Sequence, residues 1–473
     1  MGTYSLQAAD LLTLLASTVT PGTDSLILQE LLAHGIFPSA SNSLAHVETQ
    51  AGPPGPVPSV NDDTVTSGTQ VEIITIPTST AITGSTYPAP TVGAAGTPTT
   101  FNFTNASGGV IFVAGDQSVD VRDLGRSGGD TLIGGAGYER LKTTAGANEL
   151  IAGTGQNTLV GGSGADTLIG GGDSRLIAGS GNQLLVGGLS ASSHDTLVGG
   201  SGADLLIVTQ GDNRLIAGSG MNTLLGGAGN DTLLGGGMSS MVAGSGAENL
   251  IGGRMGGATD TLVGGSGADL LRASQGNNSL VGGSGMNTLK GGIGQDTLVG
   301  GGDSRLIARG GATTLISSSL SGGSDTLIGG SGNDSLEAVS GNNRLLGGSG
   351  NDTVTLGSGN DTLISTSANS LMVTGGSGSF YSVDNTGANE TLTGGTGGGQ
   401  LTLGAATFTT DSIAGGAGAI NISSSQDSTD VMNSSTAVGG LHTLTFSDGQ
   451  TIIINDSNSN ITIHFADGGT TTV

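Results

Sequence analysis

The sequence predicts an all-β chain built around a parallel β-solenoid, with β-rich flanking segments and a small N-terminal helical hairpin. Three observations predict it. Glycine is the commonest residue, with 93 copies in 473 residues. A unit of about nine residues, typified by "GGSGADTLI" at 161–169, recurs over more than 200 residues. Leucine returns at the same place in almost every unit. Aromatics are only 3% of the chain, so its core must come from stacked aliphatic side chains. Collagen would need a glycine triplet and abundant proline, and the chain has 10 prolines and no triplet. The regular spacing of aliphatic residues argues against disorder.

Residues 1–36 read as a helical anchor or assembly segment. "LQAADLLTLLAS" and "DSLILQELLAHG" carry leucines at spacings of three and four, with Pro21 and Gly22 between them and Gly35 to end the second helix. Residues 37–62 have the proline and serine content of an extended linker. Residues 63–121 turn to strand signals, as in "QVEIITIPTSTAI", "TTFNFTN" and "GVIFVAG". The array occupies 122–370. A Ser/Thr/Asn-rich region at 371–473 still reads as strands, in "HTLTFSDG", "QTIIIND" and "NITIHFADG".

From Arg122 the chain cuts into units of the form G-G-x-G-x-D-x-L-x. Seven units, with lengths 12, 9, 9, 9, 9, 8 and 9, make a larger repeat of 65 residues. Asp130, Asp195, Asp260 and Asp325 are each 65 apart, as are Asp166, Asp231, Asp296 and Asp361. Period nine suits a short strand plus a tight turn. The eighth position supplies the core: of 26 rungs from Leu132 to Leu363, 24 are leucine, and the exceptions are Met241 and Val354. Stacking one residue type on itself lets a solenoid build a core without a large globule. Each buried leucine contributes about 1.5–3 kcal/mol.

The units quoted, with Gly161, Gly162, Gly164, Asp166 and Leu168 as one example, resemble the RTX (repeats-in-toxin) nonapeptide family over about half the chain. The resemblance implies a parallel β-roll with two units per coil and Ca2+ between the turns. It also implies export by type I secretion, with an uncleaved signal in the C-terminal region. The absence of cysteine and of a basic-then-apolar N-terminus agrees with that route.

The sixth-position acid has two readings. As a turn residue, Asp or Asn would bond nearby backbone N–H groups. As a calcium ligand, it must be a carboxylate working with backbone carbonyls. Between copies, the fifth unit keeps Asp while its preceding residue varies through Ala165, Asn230, Gln295 and Asn360. The third unit keeps Asn148, Asn213, Asn278 and Asn343. With two units per coil, sixth positions stack on every second unit. Asp334 then lies over Asp352, and Glu248 lies between Asp231 and Asp269. Asp130 with Asn148, Asn148 with Asp166, Asp260 with Asn278 and Asn343 with Asp361 hold one acid each. The candidate metal ligands are Asp130, Asp166, Asp195, Asp204, Asp231, Glu248, Asp260, Asp269, Asp296, Asp325, Asp334, Asp352 and Asp361. An odd number of units per copy puts matching features of successive copies on alternate sides.

No catalytic centre emerges. The five histidines, His34, His46, His194, His442 and His464, form no H-E-x-x-H. "GRSGG" around Ser127 matches G-x-S-x-G, but lies at the start of the array rather than in a strand-to-helix elbow. The net charge of −25 disfavours nucleic acid as a partner. No apolar run is long enough to span a membrane. The expectation is a secreted, extracellular, non-enzymatic calcium-binding protein that self-assembles at a cell surface, as an S-layer, matrix or filament subunit. Its N-terminal helices would bind another subunit or a surface component. The alternative is an adhesin or an ice-binding solenoid using threonine files. Arg175, Leu184, Arg214 and Asn249 interrupt those files in sequence order.

Overall fold

Alternation of short strands and glycine turns produces a parallel β-solenoid, seen here in a computed structural model. It describes most of residues 118–365, strands between 46 and 113, and strands and some turns from 371 to 472. Among the described residues there is no helix. The helical hairpin expected within 1–36 lies outside them. The chain divides into two compact units, Met1–Ser239 and Ser240–Val473, each built the same way.

In unit 1, alternate strands of the array fall into two parallel ladders. One runs through Thr131–Ile133, Glu149–Ile151, Thr167–Ile169, Leu184–Gly187, Leu205–Val208 and Met221–Leu225. The other runs through Glu139–Lys142, Asn157–Val160, Ser174–Ile177, Thr196–Val198, Arg214–Ile216 and Thr232–Leu234. One coil therefore consumes two sequence units. The ladders extend upstream of the array. Val110–Val113 pairs with Thr131–Ile133 and with Glu72–Thr75, which pairs with His46–Thr49 inside the segment read as a linker. Thr99–Phe103 and Val119–Asp123 extend the second ladder.

Unit 2 repeats this plan. One ladder passes from Thr261–Val263 to Asp352–Thr355, the other from Asn249–Ile251 to Asp361–Ser365. The nonapeptide pattern fades after Ile364, but the coils do not. Leu371–Thr374, Glu390–Thr393 and Thr410–Ala414 continue one ladder; Phe380–Asp384, Gly399–Leu403 and Ile420–Ser424 continue the other. One inward aliphatic per strand still suffices there, with Leu392, Leu401, Ile413 and Ile422 buried. Antiparallel pairing then appears. Val431–Thr436, Leu441–Phe446 and Thr451–Asn455 form a meander, and Thr470–Thr472 turns back on Ile461–His464. Phe446 and Phe465 pack with ring centroids 6.3 Å apart. An antiparallel end of this kind occupies edges that a parallel ladder would leave open.

The core is the leucine file. All 26 eighth-position residues, Met241 and Val354 included, are 0% exposed. Adjacent coils meet so closely at the turns that a side chain has no room. Gly202 has φ +144°, and a Cβ there would sit 2.0 Å from the carbonyl oxygen of Gly181. Only glycine combines that conformation with that approach. The odd count of units has the expected effect. In unit 1, Asp130 precedes a strand of one ladder and Asp195 a strand of the other; Asp260 and Asp325 repeat this alternation in unit 2.

Candidate metal centres in the turns

Each sixth-position side chain precedes a strand and folds inward, so the turn is built around a buried polar atom. The candidate acids are all 5% exposed or less. Asp166 shows the arrangement. Its Oδ1 accepts the N–H of Asn148, one coil earlier, at 2.9 Å, and its Oδ2 accepts the N–H of Gly162 in its own turn, also at 2.9 Å. Asp204 does the same with Gln183 and Gly200, and Asp231 with Asn213 and Gly227. Asp195 accepts from Ser174 and Gly188. In unit 2, Asp269 takes Glu248 and Gly265, Asp296 takes Asn278 and Gly292, and Asp334 takes Thr313 and Gly330. Asp260 accepts from Gly253, Asp325 from Ser304 and Asp361 from Asn343. Asp130 donates its own N–H to Asn148 Oδ1. The acid therefore performs the turn role. A carboxylate has about four lone-pair positions, so two such bonds leave acceptor capacity for a cation.

The third-unit asparagines do something different. The Asn148 amide nitrogen donates to the carbonyls of Ala145 and Gly146 and to Asp166 Oδ1, at 3.2, 3.3 and 2.8 Å. Asn213 repeats this with Gln210, Gly211 and Asp231. Asn278 uses Gln275, Gly276 and Asp296, and Asn343 uses Ser340, Gly341 and Asp361. Two carbonyls and a carboxylate around one point are the oxygen types a hard cation takes. Here an uncharged –NH2 fills that point, so these four turns do not fit a metal ion.

Other turns fit one better. The pairing expected at every second unit is present: Asp334 donates its N–H to Asp352 Oδ1 at 2.9 Å, and Glu248 donates to Asp269 Oδ1 at 2.9 Å. Each rung brings two carboxyl groups into neighbouring turns. Burial pushes the Asp352 carboxyl above its ordinary range; the Asp334 N–H opposes this, and the Asp334 charge adds to it. Burial likewise raises Asp195, Asp231 and Asp361. The first glycine of these units sits so close to these oxygens that a side chain would have no room. A Cβ on Gly264 would meet Asp269 Oδ2 at 2.9 Å and the Gly282 carbonyl at 2.1 Å. One on Gly329 would meet Asp334 Oδ2 at 3.1 Å and the Gly347 carbonyl at 1.6 Å. Carboxylate and carbonyl oxygens thus converge where no side chain stands, which is the donor set calcium takes. Asp269, with Glu248 one coil before it, and Asp334, with Asp352 one coil after it, are the residues that would hold Ca2+. A bound ion would supply positive charge to neutralise buried carboxylates. Among the described residues, no three or more His, Asp or Glu side chains converge on one point. Each such site therefore depends on backbone oxygen.

Nine sixth-position residues escaped the sequence reading, Glu139 and Gln183 among them. Glu139, at the sixth place of "GGAGYERLK", is 0% exposed, and burial pushes its carboxyl up to about 8 against the pull of nearby glycine N–H groups. Gln183 has a buried Oε1 with no hydrogen-bond partner, and a Cβ on Gly161 would sit 2.8 Å from it and 2.7 Å from Asp166 Oδ2. Scoring the position rather than the residue type would have found both. His194 is exposed on its twelve-residue unit, 3.8 Å from Asp173, and Ser127 lies outside the described residues.

The family described as RTX calcium-binding nonapeptide repeat matches residues 142–177, 191–220, 207–237, 256–285, 273–307, 320–338 and 337–369. No curated protein and no solved structure matches the chain. The matched stretches fall within the ladders and the leucine file, and between residues 142 and 369 they carry RTX calcium-binding nonapeptide repeats.

Proposed function

We propose that the chain is a secreted, non-enzymatic calcium-binding repeat protein that builds a structural assembly at a cell surface, as an S-layer, matrix or filament subunit. The observation that carries this reading is that the array's inward positions are committed to stacking. The eighth positions form an unbroken file at 0% exposure, and the sixth-position polar groups tie each turn to the next coil. Little inward chemistry is left for a substrate. Calcium rigidifies the rungs that carry paired carboxylates. Type I export depends on the C-terminal region, and the helices expected at 4–36 dock on another subunit or a surface component. Among the described residues no helix is long and apolar enough to cross a membrane. Negative staining of the purified chain, with calcium and with chelator, tests the reading. Sheets or fibres that need calcium support it; monomers under both conditions contradict it.

One observation favours the alternative of ice binding. Read along a ladder rather than along the sequence, unit 2 has an uninterrupted hydroxyl file: Ser240, Thr261, Ser279, Thr297, Thr314, Ser335 and Thr353. The interruptions noted in sequence order at Arg175, Arg214 and Asn249 lie in strands that do not belong to this ladder, while Leu184 interrupts the file of a unit 1 ladder between Thr167 and Leu205. Thermal hysteresis of the pure chain would establish that reading; freezing behaviour like that of an inert protein would remove it.

A further inference from the structure

Nine of the twelve Lys and Arg residues lie on described strands, and they are not shared between the two ladders. In unit 1 all those on described strands, Arg122, Arg140, Lys142, Arg175 and Arg214, lie on the ladder that contains Glu139–Lys142. In unit 2, Arg272, Lys290, Arg305 and Arg344 lie on the ladder that opens with Asn249–Ile251. The partner ladder in each unit carries none among its described strands. This grouping occurs in a chain of net charge −25.

The register orders these cations further. Down one outward column of unit 1 the partners read Arg140, Thr158, Arg175, Thr196, Arg214, Thr232. Unit 2 has Thr288, Arg305, Thr326, Arg344, Thr362. Successive rungs of a ladder are about 4.8 Å apart, so the arginines recur about every 10 Å along a straight line. Each of these five arginines is exposed. None has an ion-pair partner among the described residues, where the ion pairs are Arg122 with Asp120 and His194 with Asp173. Beside the unit 1 column runs a half-buried aliphatic one, with Val160, Ile177, Val198 and Ile216.

A line of cations separated by hydroxyls, with an apolar strip alongside, fits a linear polymer bearing regularly spaced negative charge. The guanidinium groups would bond carboxylates or sulfates in fork geometry, the threonines would meet hydroxyls, and the aliphatic strip would face sugar rings. A second copy of the chain fits less well, because most of the array's acids are buried in turns rather than displayed in a matching file. Nucleic acid fits less well too. Between the arginines of these columns stands only threonine, with no aromatic side chain for stacking, and the net charge of the chain is negative. We propose that the arginine–threonine face of the array is a binding surface for a linear acidic polysaccharide.

The test uses the full chain and hyaluronate, a uronic acid polymer that serves as a calcium-insensitive probe, with neutral dextran and duplex DNA as comparisons. Hyaluronate is expected to bind and dextran not, with affinity falling as salt rises. Replacing Arg140, Arg175 and Arg214 together by threonine completes an all-threonine column in unit 1 and should weaken binding about tenfold or more, the scale on which charge fields act. Arg175→Thr alone should give a smaller loss, and Arg305→Thr with Arg344→Thr tests unit 2 separately if the triple variant misfolds. Absence of hyaluronate binding, or variants that bind it as well as the original, would overturn the proposal. DNA binding as tight as hyaluronate binding, and equally sensitive to the variants, would replace it with general polyanion binding. A change in sedimentation on substitution, without a change in hyaluronate binding, would show instead that copies of the chain pair through this face.

Discussion

The side-chain amide nitrogen of Asn148 lies 2.8 Å from Asp166 Oδ1 and donates as well to two backbone carbonyls of its own turn. Sixty-five residues on, Asn213 stands in the same relation to Asp231. The array thus holds two contrasting kinds of turn. In one, a neutral amide bridges oxygens without metal. In the other, carboxyl groups stack and leave charge to be neutralised. The third and fifth units keep Asn and Asp respectively in every copy, whereas the fourth unit has Asn157, Asn222 and Asn287 and then Asp352. An Asn donates to carbonyls, whereas an Asp accepts from a glycine N–H, and each needs its turn's peptides oriented to match.

Replacing Asn278 by Asp should convert a metal-free turn into one that needs metal. The substitution removes donors from Gln275 and Gly276 and sets a carboxylate against Asp296. In chelator the loss should be about 1–3 kcal/mol, the cost of leaving buried groups unsatisfied. It should be read by hydrogen exchange in Ser279–Val281 and Thr297–Val299, because a repeat array can open locally. Calcium should restore much of the protection. Unchanged exchange in chelator would contradict the role given to the amide.

The metal-free array should lose stability as pH rises. Glu139 has its carboxyl raised from 4.5 to about 8 by burial, so the folded state keeps a proton that the unfolded chain has released. The stabilisation is complete below about pH 4.5 and is lost as pH climbs through about 8. Asp195, Asp231, Asp352 and Asp361 are raised as well and push in the same direction. Thermal melts in chelator across this range should show the slope, and Glu139→Gln should flatten it. A melting temperature that climbs with pH in both proteins would refute this assignment.

In the core, Leu215→Ala should cost about 2–5 kcal/mol, through lost transfer energy and a cavity that neighbouring rungs cannot close. Leu215→Met should cost less than about 1.5 kcal/mol, since Met241 already fills a rung at 0% exposure. Gly202→Ala should be as damaging as the cavity, because its Cβ would meet the Gly181 carbonyl and its φ is +144°. Urea melts of the three variants decide this, and equal stability for Leu215→Ala and Leu215→Met would be inconsistent with a close-packed file.

Much of this fold was readable in the sequence, because period and position specify a solenoid. The leucine at place eight gave the core residue by residue, and two units per coil gave the pairing of Asp334 with Asp352. The direction of the turn peptides was not readable. Asp and Asn look alike as turn formers, and only the placed Oδ2 and Nδ2 atoms distinguish them. Nor were the faces. Neighbouring units alternate between ladders, so Arg175 and Arg214 look like interruptions in a threonine file when the sequence is read straight through. Read every second unit, they belong to a file of their own. The coils beyond Ile364 were legible as strands but not as further rungs, because Leu392, Leu401 and Ile413 keep the inward position without the glycine pattern.

The central claim is that carboxylate-paired turns bind calcium and amide-bridged turns do not. Calorimetric titration of chelator-stripped full chain with calcium tests it most directly, comparing the original with Asp334→Asn/Asp352→Asn and with Asp130→Asn. Asp130 faces Asn148, so its turn lacks a second carboxyl group. Calcium should bind the original, the double variant should lose the tightest component, and Asp130→Asn should lose little. No calcium binding by the original, or equal losses in the two variants, would contradict the account.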